Sequence, residues 1–506
     1  MTAAIKPIQN NEPSNATWWL TWASVLYLAL PWAMFMAGWL RPVWAILFCV
    51  IMLGGVMTTM LDGHRVAGAP WPRDRRGWWC AGVVVVVAAL SMLISGAGGV
   101  GFQNADYFKH NAVLKALVDR PWPVVFETSM LFERPTALVY YVVYYLPGAA
   151  AGKLLGWGAA QAMMFWWTAG GTAIGLGWFA HLSGRWPLVS VLFFLLMGGW
   201  DIFGHLIGFG PTPNPIFLDP KFETWSGVWE YECQIMSLVW VPQHTMIGWL
   251  ATAMAIDGLQ RRRGIGRQLM LVGLASLWSP FVMVGLAPFV GVCLWRNRSG
   301  ARAARLELVA GLTLLIVAGL YLATRQGRMT MGWIWGQIPL EIFAVRYVLF
   351  ILLELGPLAA VWFWARRSGR EDRLLWGASM VLLLLLPLYR LGQYNDLTMR
   401  GSDPAFFAVM LLTWRAVLSA SVDHGRRAVA IGFAVVFIIG AMVPLYQVGR
   451  SVDRWTWATP EKPVLRIEYF HSANITAQYV GPIDDSPFFK YLARPGSQGL
   501  THDEDQ

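Results

Sequence analysis

Charged residues are scarce in this sequence: Asp, Glu, Lys and Arg make up 13% of its 506 residues, whereas hydrophobic residues make up 56%. Because a soluble domain usually has about 25% charged residues, this composition excludes water as the main solvent of the chain. Cysteine is also scarce, with four scattered residues and no CxxC pair. The cysteines therefore give no signal for metal or redox chemistry, and we predict that they are packing residues.

Long apolar blocks take the place of the missing charged surface. Residues 18–39 and 79–95 have the length of a membrane span and show no amphipathic stripe. Within lipid such a block satisfies its backbone hydrogen bonds only as a helix, because an apolar strand would leave its donors unpaired. We therefore predict an all-α polytopic membrane protein.

The basic residues lie mainly in short loops between the apolar blocks. The net charge of +10 would suggest nucleic-acid binding in a soluble protein, but this placement favours positive-inside topology and no nucleic-acid partner. The basic loops expected on the cytoplasmic side are 64–76, 261–267, 296–305, 366–373 and 424–427.

Counting crossings from a cytoplasmic N-terminus predicts roughly 13 transmembrane helices within residues 1–446, the first three near 19–38, 43–60 and 79–97. Residues 447–506 are predicted to be a short non-cytoplasmic tail, too short to fold alone. The polar outer loops, where we expect interfacial helices and the functional site, are 98–138, 207–238, 325–344 and 391–404.

Two apolar segments do not fit this count as ordinary crossings. Counting 139–156 as a crossing would place the basic cluster at 261–267 outside, so we predict an interfacial or re-entrant helix there. The amphipathic tyrosine run within that segment suits the headgroup region. The segment 268–296 has basic residues at both ends, so it is predicted to be a pair of short helices that turn at Ser279 and Pro280.

Asp106 lies in the first outer loop, about nine residues after the end of an outward-going helix. A carboxylate at the mouth of the bundle can deprotonate an incoming hydroxyl group, with Lys109 and His110 one turn away to orient it or to bind an anionic leaving group. The alternative is that Asp106 caps the following helix while Lys109 and His110 are only solvated.

The arrangement resembles the GT-C superfamily of membrane glycosyltransferases. The resemblance rests on Asp106, the helical stretch 111–122, the Pro/Tyr-containing segment 134–156 and the pair of short helices at 271–295. It implies that Asp106 is the catalytic base and that the donor is a sugar on a polyprenyl-phosphate carrier. It also implies that a late outer-loop arginine grips the carrier phosphate.

Arg390 and Arg400 flank the last polar outer loop, on the side where positive charge is not needed for topology. The planar fork of arginine suits a lipid-linked phosphate or pyrophosphate, and Arg400 is our first choice. The alternative is that these arginines snorkel or are salt-bridged to Asp396 or Asp403.

A second group of polar residues belongs to the loop 207–238 and its flanks. Asp201 and His205 lie four residues apart on one helix face, which predicts either an acceptor-orienting pair or an Asp–His hydrogen bond that packs two helices. Carboxylates interleaved with tryptophans suit sugar binding, although an interfacial aromatic belt would use the same tryptophans. The predicted acceptor-binding or sugar-binding residues are Asp201, His205, Glu230, Glu232 and His244, with Glu230 and Glu232 as alternative bases.

No cofactor is required by these residues. A divalent cation, Mg or Mn, stays open, with Asp106 and Asp201 as its candidate ligands, but two ligands alone do not establish a metal site.

The leading functional prediction is a glycosyltransferase, transferring a hexosyl or pentosyl group from a polyprenyl-phosphate donor to a glycan, lipid or protein acceptor of the cell envelope. It would lie in a bacterial-type inner (plasma) membrane, among membrane lipids, with its active face non-cytoplasmic. One alternative is a transporter or flippase for a lipid-linked or anionic solute, which would use the intramembrane Glu354. Another is a polysaccharide polymerase or ligase that uses His and Arg as central groups.

Overall fold

The structure is a computed structural model that describes residues 15–64, 75–184, 186–207, 222–261, 264–296, 305–325, 330–365, 369–392, 394–421, 427–457, 465–470 and 473–495. Helix accounts for 78% of it and strand for 4%. The predicted all-α class is therefore confirmed.

The chain begins with three long apolar helices: α1 (Asn15–Trp39), α2 (Pro42–His64) and α3 (Arg75–Ser95). They coincide with the first three predicted crossings. Each helix buries one side and exposes large apolar side chains on the other, such as Leu26, Val50 and Val85. An apolar outer face on helices of this length suits lipid better than water.

The first predicted outer loop and the segment after it contain short elements and one long helix. They are α4 (Asp106–Asp119), β1 (Val125–Phe126), β2 (Thr136–Leu138), a 3₁₀ turn (Val143–Tyr145), α5 (Leu146–Leu155) and α6 (Trp157–Ser183). The ten residues of α5 extend about 15 Å, half of the hydrocarbon thickness of a bilayer.

The tyrosine run before α5 differs from the expectation of a headgroup-facing surface, because Tyr140, Tyr141, Tyr144 and Tyr145 are all buried. The fold provides internal partners: the hydroxyl of Tyr144 lies 2.6 Å from the Thr168 hydroxyl. Satisfied hydroxyl groups remove the need for contact with headgroups.

The central part of the chain is broken into shorter helices. They are α7 (Pro187–Leu196), α8 (Asp201–Ile207), α9 (Gln234–Trp240), α10 (Pro242–Gln260), α11 (Ile265–Trp278), α12 (Pro280–Gly285) and α13 (Ala287–Arg296). The predicted break at Ser279 is present, where its Oγ accepts a hydrogen bond from Val282 N (3.2 Å) and caps α12. Helix α10 is buried along its length, against α6 and α11.

The last third continues with helices and three short strands, of which β3 and β4 pair with each other and β5 pairs with β2. Its elements are α14 (Arg305–Leu322), β3 (Met331–Trp333), α15 (Leu340–Glu354), α16 (Gly356–Ala365), α17 (Arg370–Leu385), β4 (Tyr389–Leu391), α18 (Asp396–Gly401), α19 (Asp403–Ser421), α20 (Arg427–Gly440), α21 (Met442–Asp453), α22 (Ala473–Thr476) and β5 (Val480–Pro482). The segment 391–404, predicted to be a polar loop, is therefore mostly helical.

Six helices among the described residues are long and apolar enough to cross a membrane, or up to eight if each of two bent pairs is one span. The bent pairs are α15 with α16, at 50°, and α20 with α21, at 42°. This count does not support the 13 predicted crossings. Several predicted crossings are shorter or interrupted helices: α17 has 16 residues, and the predicted crossing near 345–364 is divided between α15 and α16.

The C-terminal tail packs onto the bundle. Strand β5 completes an antiparallel sheet in the order β1-β2-β5, with Ala137 opposite both Val125 and Gly481. Gly481 is needed there, because a Cβ atom would lie 2.3 Å from the carbonyl oxygen of Thr324. Arg41, between α1 and α2, donates to the carbonyl oxygen of Ala493 (3.1 Å). These contacts make the described part of the tail an integral part of the fold.

Candidate functional site

Asp106 lies in the first turn of α4, where a carboxylate is favoured by the helix dipole. It does not cap the helix, since Asn104 Oδ1 accepts the hydrogen bond from Asp106 N (2.9 Å). Its carboxylate forms an ion pair with Lys109 Nζ (3.3 Å), and the Asp106 side chain keeps 33% of its surface exposed, against 14% for Lys109. Asp106 is therefore an accessible carboxylate held next to a cation.

His110 lies one residue further along α4 but points into the protein. Its Nε2 lies 2.9 Å from the carbonyl oxygen of Trp240, which only accepts, so Nε2 carries the proton. Nδ1 then accepts from the Tyr145 hydroxyl (2.7 Å). Burial, reinforced by the charge of Lys109, lowers the pKa of His110 from 6.5 to about 3. A neutral imidazole does not supply the charge that we expected for phosphate binding, and both of its nitrogens are engaged in hydrogen bonds within the protein.

Arg400 is buried in α18, which follows Asn395 in the left-handed conformation (φ 60°). Its guanidinium forms an ion pair with Glu232, whose carboxylate also accepts a hydrogen bond from Ser237 Oγ (3.0 Å). Asp396 and Asp403, which we expected as partners of Arg400, act on its charge as further electrostatic neighbours. The hydrogen-bonded partner is thus a residue 168 positions earlier in the chain.

The charges of α4 and α18 act on one another. The carboxylate of Asp396 interacts electrostatically with Arg400, Lys109 and Asp106. These interactions connect two predicted outer loops, 98–138 and 391–404, whose charged residues are almost 300 positions apart in sequence. We call the set Asp106, Lys109, Asp396 and Arg400 the charge cluster.

Two buried tyrosines complete this cluster and were not among the predicted site residues. Tyr141 interacts electrostatically with Asp396 and Arg400, and Tyr479 with Asp106 and Asp396. Burial raises the pKa of both phenols, so each hydroxyl keeps its proton and can donate a hydrogen bond. Tyr479 belongs to the C-terminal tail, and no sequence pattern pointed to it.

His244 begins α10 beside the charge cluster. Its Nδ1 lies 2.7 Å from Ser279 Oγ, and its ring centroid lies 5.1 Å from that of Tyr141. It also interacts electrostatically with Arg400 and Lys109. The structure therefore brings His244 to the predicted site, although as a buried side chain.

Asp201 belongs to a separate group of buried carboxyls with Glu223 and Glu354. The carboxyl of Asp201 lies against that of Glu354 and near the indole of Trp225. This contact is a hydrogen bond only if one of the two carboxyls carries a proton. Glu354 Oε1 accepts from the indole of Trp225 (2.9 Å) and Glu223 Oε1 from Cys233 N (2.9 Å). Burial raises the pKa of Glu223.

The predicted pairing of Asp201 with His205 is not formed. His205 Nε2 instead donates to the carbonyl oxygen of Phe222 (2.5 Å). The two candidate metal ligands, Asp106 and Asp201, also lie in different clusters. Among the residues that the structure describes, no group of three or more His, Cys, Asp or Glu side chains can hold a metal ion.

The acidic loop before α9 does not offer its tryptophans to a sugar. Trp225 and Trp229 are each 1% exposed, and the Trp229 indole donates to the carbonyl oxygen of Pro387 (2.6 Å). Glu230 is also buried. The expectation of an open stacking surface here was wrong, because this loop folds inward against α15 and the end of α17. Residues 208–221 of the predicted loop lie outside the described residues.

Arg390 lies on β4 and not with Arg400. Its guanidinium donates to Gln337 Oε1 (3.3 Å), on the segment that follows β3. The structure thus separates the two arginines that the sequence placed in one loop.

No protein-family model, no curated protein and no solved structure matches this chain.

Proposed function

We propose that this protein is an integral membrane glycosyltransferase that moves a hexosyl or pentosyl group from a polyprenyl-phosphate carrier to a cell-envelope acceptor. The observation that carries the proposal is the charge cluster. It combines an accessible carboxylate, Asp106, with two cations. Lys109 lies one turn along the same helix, and Arg400 lies almost 300 residues later in the sequence. A base next to phosphate-binding cations is what a direct displacement at an anomeric carbon needs.

In the proposed reaction Asp106 accepts the proton of the acceptor hydroxyl while the acceptor oxygen attacks the anomeric carbon. The bond from that carbon to the carrier phosphate breaks, and the phosphate leaves as an anion. Lys109, whose ion-pair partner is the partly exposed Asp106, is placed to meet this anion. Arg400 is held by Glu232, so its role is to add positive potential from behind the site. No step requires a metal ion.

We further propose that the charge cluster faces the non-cytoplasmic side of a bacterial-type inner membrane. Helix α10 supports this orientation, because His244 at its start lies beside the cluster and the basic residues at 261–267 follow its end. Its 19 residues extend about 28 Å, close to the hydrocarbon thickness of a bilayer. The basic end would then be cytoplasmic. In this proposed topology the chain crosses the membrane about 13 times, with the shorter and bent helices among the crossings.

The test compares two lysines of α4. Wild type, Lys109→Met and Lys115→Met are placed in lipid nanodiscs, and binding of undecaprenyl phosphate is measured by native mass spectrometry. Lys115 is the matched control, since it pairs with Asp119 (3.0 Å) on the exposed side of the same helix. Loss of one charge-assisted contact should weaken binding about tenfold in Lys109→Met and leave Lys115→Met unchanged. Equal binding by all three proteins would refute the proposal that Lys109 binds the carrier phosphate.

Asp106→Asn tests the base in the same way, with Asp119→Asn as its control. With membranes of the source cell supplying donor and acceptor, Asp106→Asn should lose transfer of radiolabelled sugar while the protein stays folded. Full activity in Asp106→Asn would refute its assignment as the base.

A polysaccharide polymerase or ligase is a second candidate, favoured by the position of two histidines near Arg400. His110 and His244 both interact electrostatically with it. In such an enzyme, replacing either histidine with glutamine would abolish product formation, whereas Asp106→Asn would not. The parallel measurement therefore separates the two candidates.

A further inference from the structure

Strands β3 and β4 form an isolated two-stranded ribbon at one edge of the bundle. Trp333 pairs with Tyr389, and Met331 with Leu391. The ribbon and the turn after it carry large apolar side chains on the surface: Trp333 is 53% exposed and Trp335 43%. A contiguous apolar surface of this kind costs free energy in water and indicates contact with another phase or molecule.

The two indoles are packed against each other. Their ring centroids are 4.6 Å apart at an interplanar angle of 16°, so each covers one face of the other. Tyr389 packs at 86° to Trp333, and Phe343 at 77° to Trp335. A sugar-binding platform needs an open ring face that can stack on the sugar. Here other aromatic rings cover much of the ring surface, so the arrangement is poorly suited to sugar binding.

The aromatic patch continues directly into a lipid-compatible surface. Helix α15 begins five residues after Trp335, and one side of it exposes a row of apolar side chains: Leu340, Ile342, Val345, Val348 and Leu352. Next to the indoles lie polar groups, with Arg390 hydrogen-bonded to Gln337. Aromatic and polar groups are therefore mixed in the segment that leads into the aliphatic side of α15, and such a mixture is typical of the headgroup region next to hydrocarbon.

We propose that residues 331–337 and 389–391 form an interfacial anchor that inserts the Trp333–Trp335 stack into the headgroup region of the bilayer. The surface continues into the row of exposed aliphatic side chains on α15, which favours the bilayer as its contact. Binding of a glycan would not explain that aliphatic row. Strand β4 ends five residues before Asp396, so the anchor also holds α18 at the level of the lipid phosphates. This last consequence rests on the proposed function, whereas the anchoring does not.

The test measures the depth of the ribbon with a nitroxide label at Gln337→Cys, in a protein whose four native cysteines are replaced by alanine, in nanodiscs of phosphatidylcholine and phosphatidylglycerol. The matched control positions are Val348→Cys, in the aliphatic row, and Asp485→Cys, an exposed site in the tail. The measured quantity is the ratio of the label's collision rate with oxygen to its collision rate with a water-soluble nickel chelate. At residue 337 this ratio should lie between the values at residues 348 and 485. A value equal to that at residue 485 would place the ribbon in water and overturn the proposal.

A second measurement asks whether the indoles cause this depth. In Gln337→Cys with Trp333→Ala and Trp335→Ala, the collision ratio of the label should move towards the value of the aqueous control at residue 485. The circular dichroism of this variant should equal that of Gln337→Cys alone. An unchanged collision ratio would refute the anchor role of the tryptophans. Binding of undecaprenyl phosphate is measured independently, so failure of the anchor and failure of the proposed function give different results.

Discussion

The ion pair of Arg400 and Glu232 gives the sharpest energetic prediction, because its two residues should not contribute equally. Arg400→Met would leave the buried carboxyl groups of Glu232 and Asp403 without their shared cation and would remove one of the two cations near Asp396. Removing one partner of a buried ion pair typically costs about 3–5 kcal/mol, so we expect Arg400→Met to lie at or above the upper end.

Glu232→Gln should cost less. The amide oxygen can still accept from Ser237, and Arg400 keeps the electrostatic attraction of Asp396 and Asp403. A loss of about 1–3 kcal/mol is expected, the usual cost of weakening a buried hydrogen bond. Because both substitutions remove the same contact, the double variant should be destabilised by less than the sum, with a coupling of about 0.5–3 kcal/mol.

The assay is unfolding in mixed micelles, followed through the reactivity of Cys233 and Cys293, which are buried in the folded protein. Cys49 and Cys80, which are only partly buried, are first replaced by alanine. Lys115→Met is the control, since its surface ion pair should contribute about 1 kcal/mol or less. Equal losses for Arg400→Met and Glu232→Gln, or additive losses in the double variant, would refute the view that Arg400 serves several carboxylates.

Three further predictions concern other parts of the molecule. Because the pKa of His110 is about 3 in the folded protein and near 6.5 unfolded, its contribution to stability is full above pH 6.5. This contribution declines by about 1.4 kcal/mol per pH unit as the pH falls from 6.5 towards 3. The free energy of unfolding should therefore fall less between pH 7 and pH 5 in His110→Gln than in the wild type, and an equal fall in both proteins would contradict this. Glu354→Gln mimics a protonated carboxyl and should lower the free energy of unfolding by less than about 1 kcal/mol. Trp225→Phe removes the hydrogen-bond donor to Glu354 and should lower it by about 1–3 kcal/mol. The reverse order of the two losses, measured by unfolding in micelles, would show that Glu354 is ionised. A chain that ends after Trp457 lacks β5 and should aggregate in gel filtration, whereas a chain that ends at residue 495 should stay monodisperse; similar profiles would show that the tail is dispensable.

The first three helices could be predicted to within a few residues, whereas the count of crossings could not. An apolar block in lipid has one way to satisfy its backbone, so block length alone defines α1, α2 and α3. Later helices are broken or enclosed by other helices, and an enclosed helix such as α10 needs no lipid-compatible surface. Hydropathy is then a weaker signal, because protein neighbours and not lipid surround the side chains.

The candidate site shows the same division. Asp106, Lys109 and Arg400 could be selected from charge and position, because an ionisable residue at the mouth of an apolar bundle is costly unless it has a partner or a task. Which partner each one has could not be deduced. Glu232 reaches Arg400, and Tyr479 reaches the charge cluster, only because the loop before α9 and the C-terminal tail fold inward.

The sequence by itself determined the solvent of this protein, the helical class and the polar residues that lipid would not tolerate without cause. These follow from composition and from the backbone's need for hydrogen bonds, which act locally along the chain. The tertiary structure alone decided which tryptophans are buried and which are exposed, that the tyrosine run faces inward, and that the tail packs as part of the bundle. Burial is a property of contacts between distant segments, so no local pattern encodes it.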